Sequence, residues 1–153
     1  MLDKILKKLA GAKDAPETPK EMNPAQVAYA ALLVEAARID EVYTAKEAGL
    51  ISRLMMKQFK IDEDHAREIR KAAEKAQEEA NDIYRFSAVV KNEFTDAEKI
   101  ELLEDIWEII LSDEDIDEFE EMIVRRLIGL IYISDQDSQK ARQRVEARRR
   151  EQG

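Results

Sequence analysis

From residue 24 onward, apolar positions recur at the three- and four-residue intervals of amphipathic helices. The spacing predicts helices over roughly 24–38, 45–59, 62–80, 81–92, 96–111, 118–133 and 135–150. The second places Leu50, Ile51, Leu54, Met55 and Phe59 on one face. The fifth carries Ile100, Leu102, Leu103, Ile106, Trp107, Ile109, Ile110 and Leu111, and its second half is apolar nearly all round. A helix of that kind is expected at the buried centre of a bundle. Ahead of these, residues 2–10 set Leu2, Ile5, Leu6 and Leu9 on one face, with Lys4, Lys7 and Lys8 off it. Residues 11–23 hold Gly11, Pro16 and Pro19 and read as a linker. Asn23-Pro24 opens the globular part: Asn is a favoured N-cap, Pro suits the first helical turn, and Gln26 stands three residues on.

Composition narrows the fold further. The 153 residues suit one domain, expected over 24–150, and only 4 Gly and 3 Pro supply turns, the prolines all by Pro24. Sandwiches and doubly wound sheets need more punctuation than that, so the class is all-α. With no cysteine, disulfides, thiolate zinc, iron–sulfur clusters and thiol catalysis are excluded. The single His65 excludes zinc sites built from several histidines. It is expected as a surface or capping residue beside Asp62 and Asp64, with metal ligation the minority alternative. The net charge of −9 argues against nucleic acid as a partner. From Lys91 to Glu121, fourteen acids face two lysines, whereas Lys140 to Gly153 holds six bases against two acids. The Arg148-Arg149-Arg150 run lacks interleaved aromatics and is expected as a solvated helix end. No apolar run reaches the ~20 residues of a membrane span, and the first residues are too polar for a signal peptide. The expected compartment is the cytoplasm, extending to the inner face of the membrane.

A repeat underlies the pattern. A shift of 73 residues lays Val34–Glu41 over Trp107–Glu114 and matches Glu47 with Glu120, Leu50 with Ile123, Arg53-Leu54 with Arg126-Leu127, Phe59 with Tyr132, Asp62 with Asp135 and Asp64 with Asp137. Eight identities fall in this ungapped window. A duplicated helix–loop–helix with pseudo-two-fold symmetry is expected, residues 62–92 connecting the copies.

Each copy carries an acidic loop, Asp40–Glu47 and Asp113–Glu120. Capping alone accounts for much of this: Thr44-x-x-Glu47 is a capping box, Asp117-x-x-Glu120 its Asp-started counterpart, and acids near helix N-termini interact favourably with the macrodipole. The alternative is a hard-cation site for Ca²⁺, Mg²⁺ or Mn²⁺, built from Asp113, Glu114, Asp115, Asp117 and Glu120, with Asp40, Glu41 and Glu47 as the weaker equivalent. Asp113-x-Asp115-x-Asp117 imitates an EF-hand loop only at its start. Glu118 stands where Gly is needed and Val124 where a bidentate Glu belongs.

The run Ala36-Ala37-Arg38-Ile39-Asp40-Glu41, then Thr44-Ala45-Lys46-Glu47 and Leu50-Ile51-x-x-Leu54, resembles the tellurite-resistance TerB family, and its second copy over residues 107–137 strengthens the likeness. That family shows an Ala-rich helix, Asp-Gly, and a Glu six residues beyond the Gly; this chain has Glu41 and Glu114 in the Gly place. The resemblance implies a bundle of about seven helices and a role in tellurite resistance and wider stress responses, alongside membrane partners such as TerC-like proteins. It also implies metal binding at the acidic residues. A similar domain occurs in a DnaJ-like membrane co-chaperone, but no His-Pro-Asp of a J-domain is present here.

Two function classes follow. One is a non-enzymatic TerB-like module binding a divalent cation. The other is a metal-independent adaptor whose acidic surface docks a protein partner and whose residues 1–10 reach a membrane-associated one. Residues 1–10 are equally suited to an anionic membrane surface, to their own bundle, or to a second copy. No nucleophile motif or phosphate-cradling loop supports an enzyme.

Overall fold

The computed structural model describes residues 22–39, 42–80, 83–112 and 118–152. Among them lie seven helices: α1 (Pro24–Ala37), α2 (Ala45–Phe59), α3 (Glu63–Ala80), α4 (Ile83–Glu93), α5 (Asp96–Leu111), α6 (Glu118–Ile131) and α7 (Asp135–Gln152). The segment 1–10, the linker to residue 21, Asp40, Glu41 and the run Asp113–Asp117 lie outside the described residues.

Local chemistry sets the helix starts. Asn23 Oδ1 accepts the Ala25 N–H at 2.8 Å, with Pro24 in the first turn. Thr44 and Thr95 each close a reciprocal capping box, with Glu47 and Glu98. Asp62 Oδ1 accepts the His65 N–H at 2.8 Å and Ser134 Oγ accepts the Asp137 N–H at 3.0 Å, so α3 and α7 are capped alike.

α1 is buried along most of its length and packs on α3, α4 and α5; α5 in turn packs on α7. The apolar second half of α5 lies in the core, as its pattern predicts, with Leu102, Leu103, Ile106, Trp107, Ile109 and Ile110 all buried. Tyr29 meets Phe59 and Phe94 edge-on, with their ring centroids 5.0 and 5.5 Å away.

The duplication extends further than two helices per copy. Ile51, Leu54 and Met55 of α2 correspond at a spacing of 73 to Val124, Leu127 and Ile128 of α6, and all six are buried. After that the spacing becomes 72. The left-handed residues Lys60 (φ 55°) and Tyr132 (φ 65°) terminate α2 and α6, and Ile61-Asp62 and Ile133-Ser134 lead into α3 and α7. The match of Asp62 with Asp135 and Asp64 with Asp137 is therefore one residue out of structural register. The reason is that α6 ends one residue earlier relative to α2, at the last helical turn. At a spacing of 72, Ala66, Ile69 and Ala73 of α3 overlie Ser138, Ala141 and Val145 of α7, and all six are buried. Thus α3 is the counterpart of α7 rather than part of the connection, and α4 alone links the copies.

A lysine in the left-handed region is strained where Gly is not. Lys60→Gly is expected to raise unfolding free energy by about 0.5–1 kcal/mol, the gain partly offset by the greater freedom of the unfolded chain. Urea denaturation checks it through a higher midpoint at unchanged slope.

Candidate functional site: two acidic turns

The first turn runs from α1 to α2 and is tied to α3 on both sides. At its start, Arg38 ends α1 with its backbone N–H donated to the Val34 carbonyl at 3.0 Å. Its guanidinium donates to Gln77 Oε1 at 2.7 Å and stacks 4.9 Å from the centre of the Tyr43 ring. Gln77 Nε2 donates to Glu35 Oε1 at 2.9 Å. The Tyr43 hydroxyl donates to Glu74, whose carboxylate also lies 3.2 Å from Arg70 Nε. Burial, then the bond to Glu74, pushes the Tyr43 hydroxyl above the usual tyrosine range, so it remains a donor at neutral pH. Arg70 reaches on to α2, donating to Ser52 Oγ at 2.8 Å and the Ala48 carbonyl at 3.2 Å. At the α2 side, Glu47 Oε1 accepts the Thr44 N–H at 3.0 Å while Thr44 Oγ1 accepts the Glu47 N–H at 3.1 Å. The predicted capping role of Glu47 is thus present.

The second turn runs from α5 to α6. The Ser112 hydroxyl donates to the Ile109 carbonyl at 2.6 Å and finishes α5. Glu120 occupies the place in α6 that Glu47 holds in α2, but is only 5% exposed, whereas Glu47 is partly exposed. The polar ties of the first half recur with changed residues. Arg142 pairs with Glu146 at 3.1 Å, as Arg70 does with Glu74, and reaches Glu121 of α6 at 3.3 Å, where Arg70 reaches Ala48. Arg149 lies 3.9 Å from Glu108, repeating Gln77 with Glu35. Arg144 and Arg148 contact Glu104 at 2.7 and 3.1 Å, and Arg148 also meets Glu108 at 3.1 Å. The basic tail and the acidic α5 therefore neutralise one another. Of the run expected as a solvated end, Arg149 and Arg150 are exposed, while Arg148 is drawn onto α5, because the α5–α7 packing brings residues 40 or more positions apart side by side.

One difference between the turns is electrostatic. Arg38 stands at the first, and Leu111 stands at the equivalent position of the second. A guanidinium beside the first turn disfavours a metal cation there, and the second turn has no such charge at that position.

Of the eight sequence-predicted ligands, Glu47 and Glu120 lie at equivalent positions one turn into α2 and α6, while Asp40, Glu41, Asp113, Glu114, Asp115 and Asp117 lie outside the described residues. Among the described residues, no group of three or more His, Asp or Glu side chains is placed to hold a metal ion. His65 is half-buried and within the first turn of α3, its backbone N–H capped by Asp62.

Sequence reasoning missed a buried polar pair at the seam of the two copies. Tyr29 of α1 donates its hydroxyl to Asp105 Oδ2 of α5 at 2.6 Å, and both residues are buried. Burial pushes the Asp105 carboxyl up to about 7, against the opposing pull of the Tyr29 hydrogen bond and Lys57. The same burial, reinforced by Asp105, raises the Tyr29 hydroxyl well above its ordinary range. The available signal was helical spacing: of the three acids between Leu102 and Leu111, Asp105 stands three residues from Leu102 and four from Ile109, on the apolar face.

Residues 26–143 match the family described as tellurite resistance protein TerB. The chain belongs to the TerB family. The TerB match starts in the first turn of α1, spans both copies and both acidic turns, and ends inside α7. Arg144, Arg148 and Arg149, which tie α7 to α5, stand beyond the TerB match. No curated protein and no solved structure matches the chain. No helix among the described residues is long and apolar enough to cross a membrane.

Proposed function

We propose that this TerB-family chain is a non-enzymatic module of a tellurite-resistance-type stress response, acting in the cytoplasm, and that it takes a divalent cation at its acidic turns. The second turn is the stronger site, through Asp113, Glu114, Asp115, Asp117 and Glu120. Asp40, Glu41 and Glu47 form the weaker one. The observation that carries this ranking is the burial of Glu120 at 5% exposure, against the partly exposed Glu47 whose turn also carries Arg38. A carboxylate held out of water is costly unless compensated. The α6 N-terminus and the residue's own contacts compensate it, and a cation beside it would add to that. An all-oxygen donor set suits Ca²⁺, Mg²⁺ or Mn²⁺ over softer ions.

Calorimetric titration with each of the three ions tests the reading. The expected result is one dominant exothermic or endothermic site, lost in Asp113→Asn and Glu120→Gln and retained in Glu47→Gln, which keeps the capping geometry. At a hundredfold excess over Kd, binding should add about 2.7 kcal/mol to stability. Absence of heat with all three ions overturns the metal reading.

The exposed Phe119 and Met122 beside this acidic stretch favour a second reading, a metal-independent adaptor that docks a membrane-associated protein at the inner membrane face. Such binding weakens with salt and ignores EDTA, whereas the cation-dependent module responds to EDTA.

A further inference from the structure

The two copies end differently. At the spacing of 72, α3 and α7 bury their faces in step through Ala73 and Val145, and one turn further the register comes to Gln77 and Arg149. Gln77 is buried, and its neutral amide donates to Glu35 at 2.9 Å and accepts from Arg38 at 2.7 Å. Arg149 is exposed, and no residue of α7 beyond Val145 is buried. What ties the end of α7 to the bundle is charge. Arg144 and Arg148 close on Glu104 at 2.7 and 3.1 Å, and Arg148 and Arg149 on Glu108 at 3.1 and 3.9 Å. The carboxylates are the sheltered partners, their side chains 18% and 19% exposed against 37% to 47% for the arginines. The first copy has no such ladder: Ala72 and Ala76 stand at the places of Arg144 and Arg148, and Ala31 at that of Glu104. All three arginines also stand past residue 143, where the TerB match ends.

We propose that residues 146–152 form an electrostatic clasp, which lifts off α5 when its ion pairs are screened and bares Glu104 and Glu108 while the bundle up to Val145 stays folded. Ion pairs with partly exposed partners are individually weak and fade with salt, whereas apolar burial does not depend on screening. α7 therefore has a fixed part, seated by Ser138, Ala141 and Val145, and a releasable part beyond it. A helix end with no buried face lies at the low end of local stability and opens without the rest. Release adds two free carboxylates to the surface of α5 and frees the arginines that covered them. The clasp uses neither acidic turn, so it stands whether or not those turns take a cation.

Amide hydrogen exchange of the full chain at about 10 mM and about 1 M sodium chloride tests this, since the screening length falls from about 30 to about 3 Å. Exchange across residues 146–151 should rise about fivefold relative to residues 74–79, the same stretch of α3, which also corrects for any direct effect of salt on exchange. The variant Glu104→Gln/Glu108→Gln separates the clasp from fraying of α7 on its own, because it removes the partners on α5 and leaves every α7 residue in place. At low salt it should already show the fast exchange that the wild type reaches at high salt, with no further response. Exchange across 146–151 that ignores salt in the wild type, or protection there that survives in the variant, overturns the proposal. A rise of the same size at residues 138–145 overturns it equally, since the end of α7 would then open only together with the bundle.

Discussion

Replacing Asp105 by Asn is expected to remove a large part of the pH dependence of folding between about pH 4 and pH 7. The carboxyl titrates near 3.8 when unfolded and about 7 when folded. Between those values the folded chain binds a proton that the unfolded chain has released, so unfolding free energy falls as pH rises. Stability from the neutral acid is fully present below the unfolded value and is lost on passing through the folded one. At 1.36 kcal/mol per pH unit, the span amounts to about 4 kcal/mol. Asn keeps an oxygen for the Tyr29 hydroxyl and carries no charge to desolvate. Urea unfolding of both proteins at several pH values isolates the effect, since the other carboxylates cancel in the difference. The variant should gain on the wild type steadily from acid to neutral pH. A constant difference would mean that Asp105 ionises as easily folded as unfolded.

The helices and their order were legible because local signals and long-range packing agree. Asn23-Pro24 and Thr44-x-x-Glu47 mark starts that the backbone uses, and the apolar stretch around Ile106 and Trp107 is buried as its pattern demands. The repeat was legible through α2 and α6, where side-chain burial follows a fixed spacing. Its slip from 73 to 72 was hidden by acids that match by chance at Asp62 and Asp135, while Arg70-x-x-x-Glu74 and Arg142-x-x-x-Glu146 carry the true register. The equivalence of Glu47 and Glu120 could be read from the chain; their unequal burial could not, because it depends on how α6 lies among its neighbours. Likewise nothing local announces that Tyr29 meets Asp105 across 76 positions, or that Arg148 meets Glu104 and Glu108. Pairings of that kind are set by the crossing of helices, which a one-dimensional pattern does not encode.

The two halves have kept one framework while their chemistry has diverged. In the first, Tyr43, Arg38 and Gln77 lock the acidic turn to α3. In the second, ion pairs join α5, α6 and α7, and the turn carries more acids and lacks the Arg38 guanidinium.

The second large effect is expected at Trp107. This ring is 4% exposed on α5, and the Arg142 guanidinium of α7 lies 4.6 Å from its centre. Its counterpart in the first half is Val34, so the extra bulk belongs to the α5–α7 pairing specifically. Trp107→Ala removes the buried ring, opens a cavity and takes the cation–π partner from Arg142, for a loss of about 4 kcal/mol. Against a typical total of about 5–15 kcal/mol, that is a large share. Trp107 is the only tryptophan, so unfolding is followed by circular dichroism rather than fluorescence. Adding Arg142→Met to both backgrounds separates the terms. Arg142 keeps Glu121 and Glu146 when the ring is gone, so the coupling between the two residues should be about 1 kcal/mol, with the rest of the loss coming from the cavity. A Trp107→Ala cost below about 1 kcal/mol would mean that α7 does not seal the second half of the core, and with it the mirrored ties from Arg142 and Arg149 would lose their structural meaning.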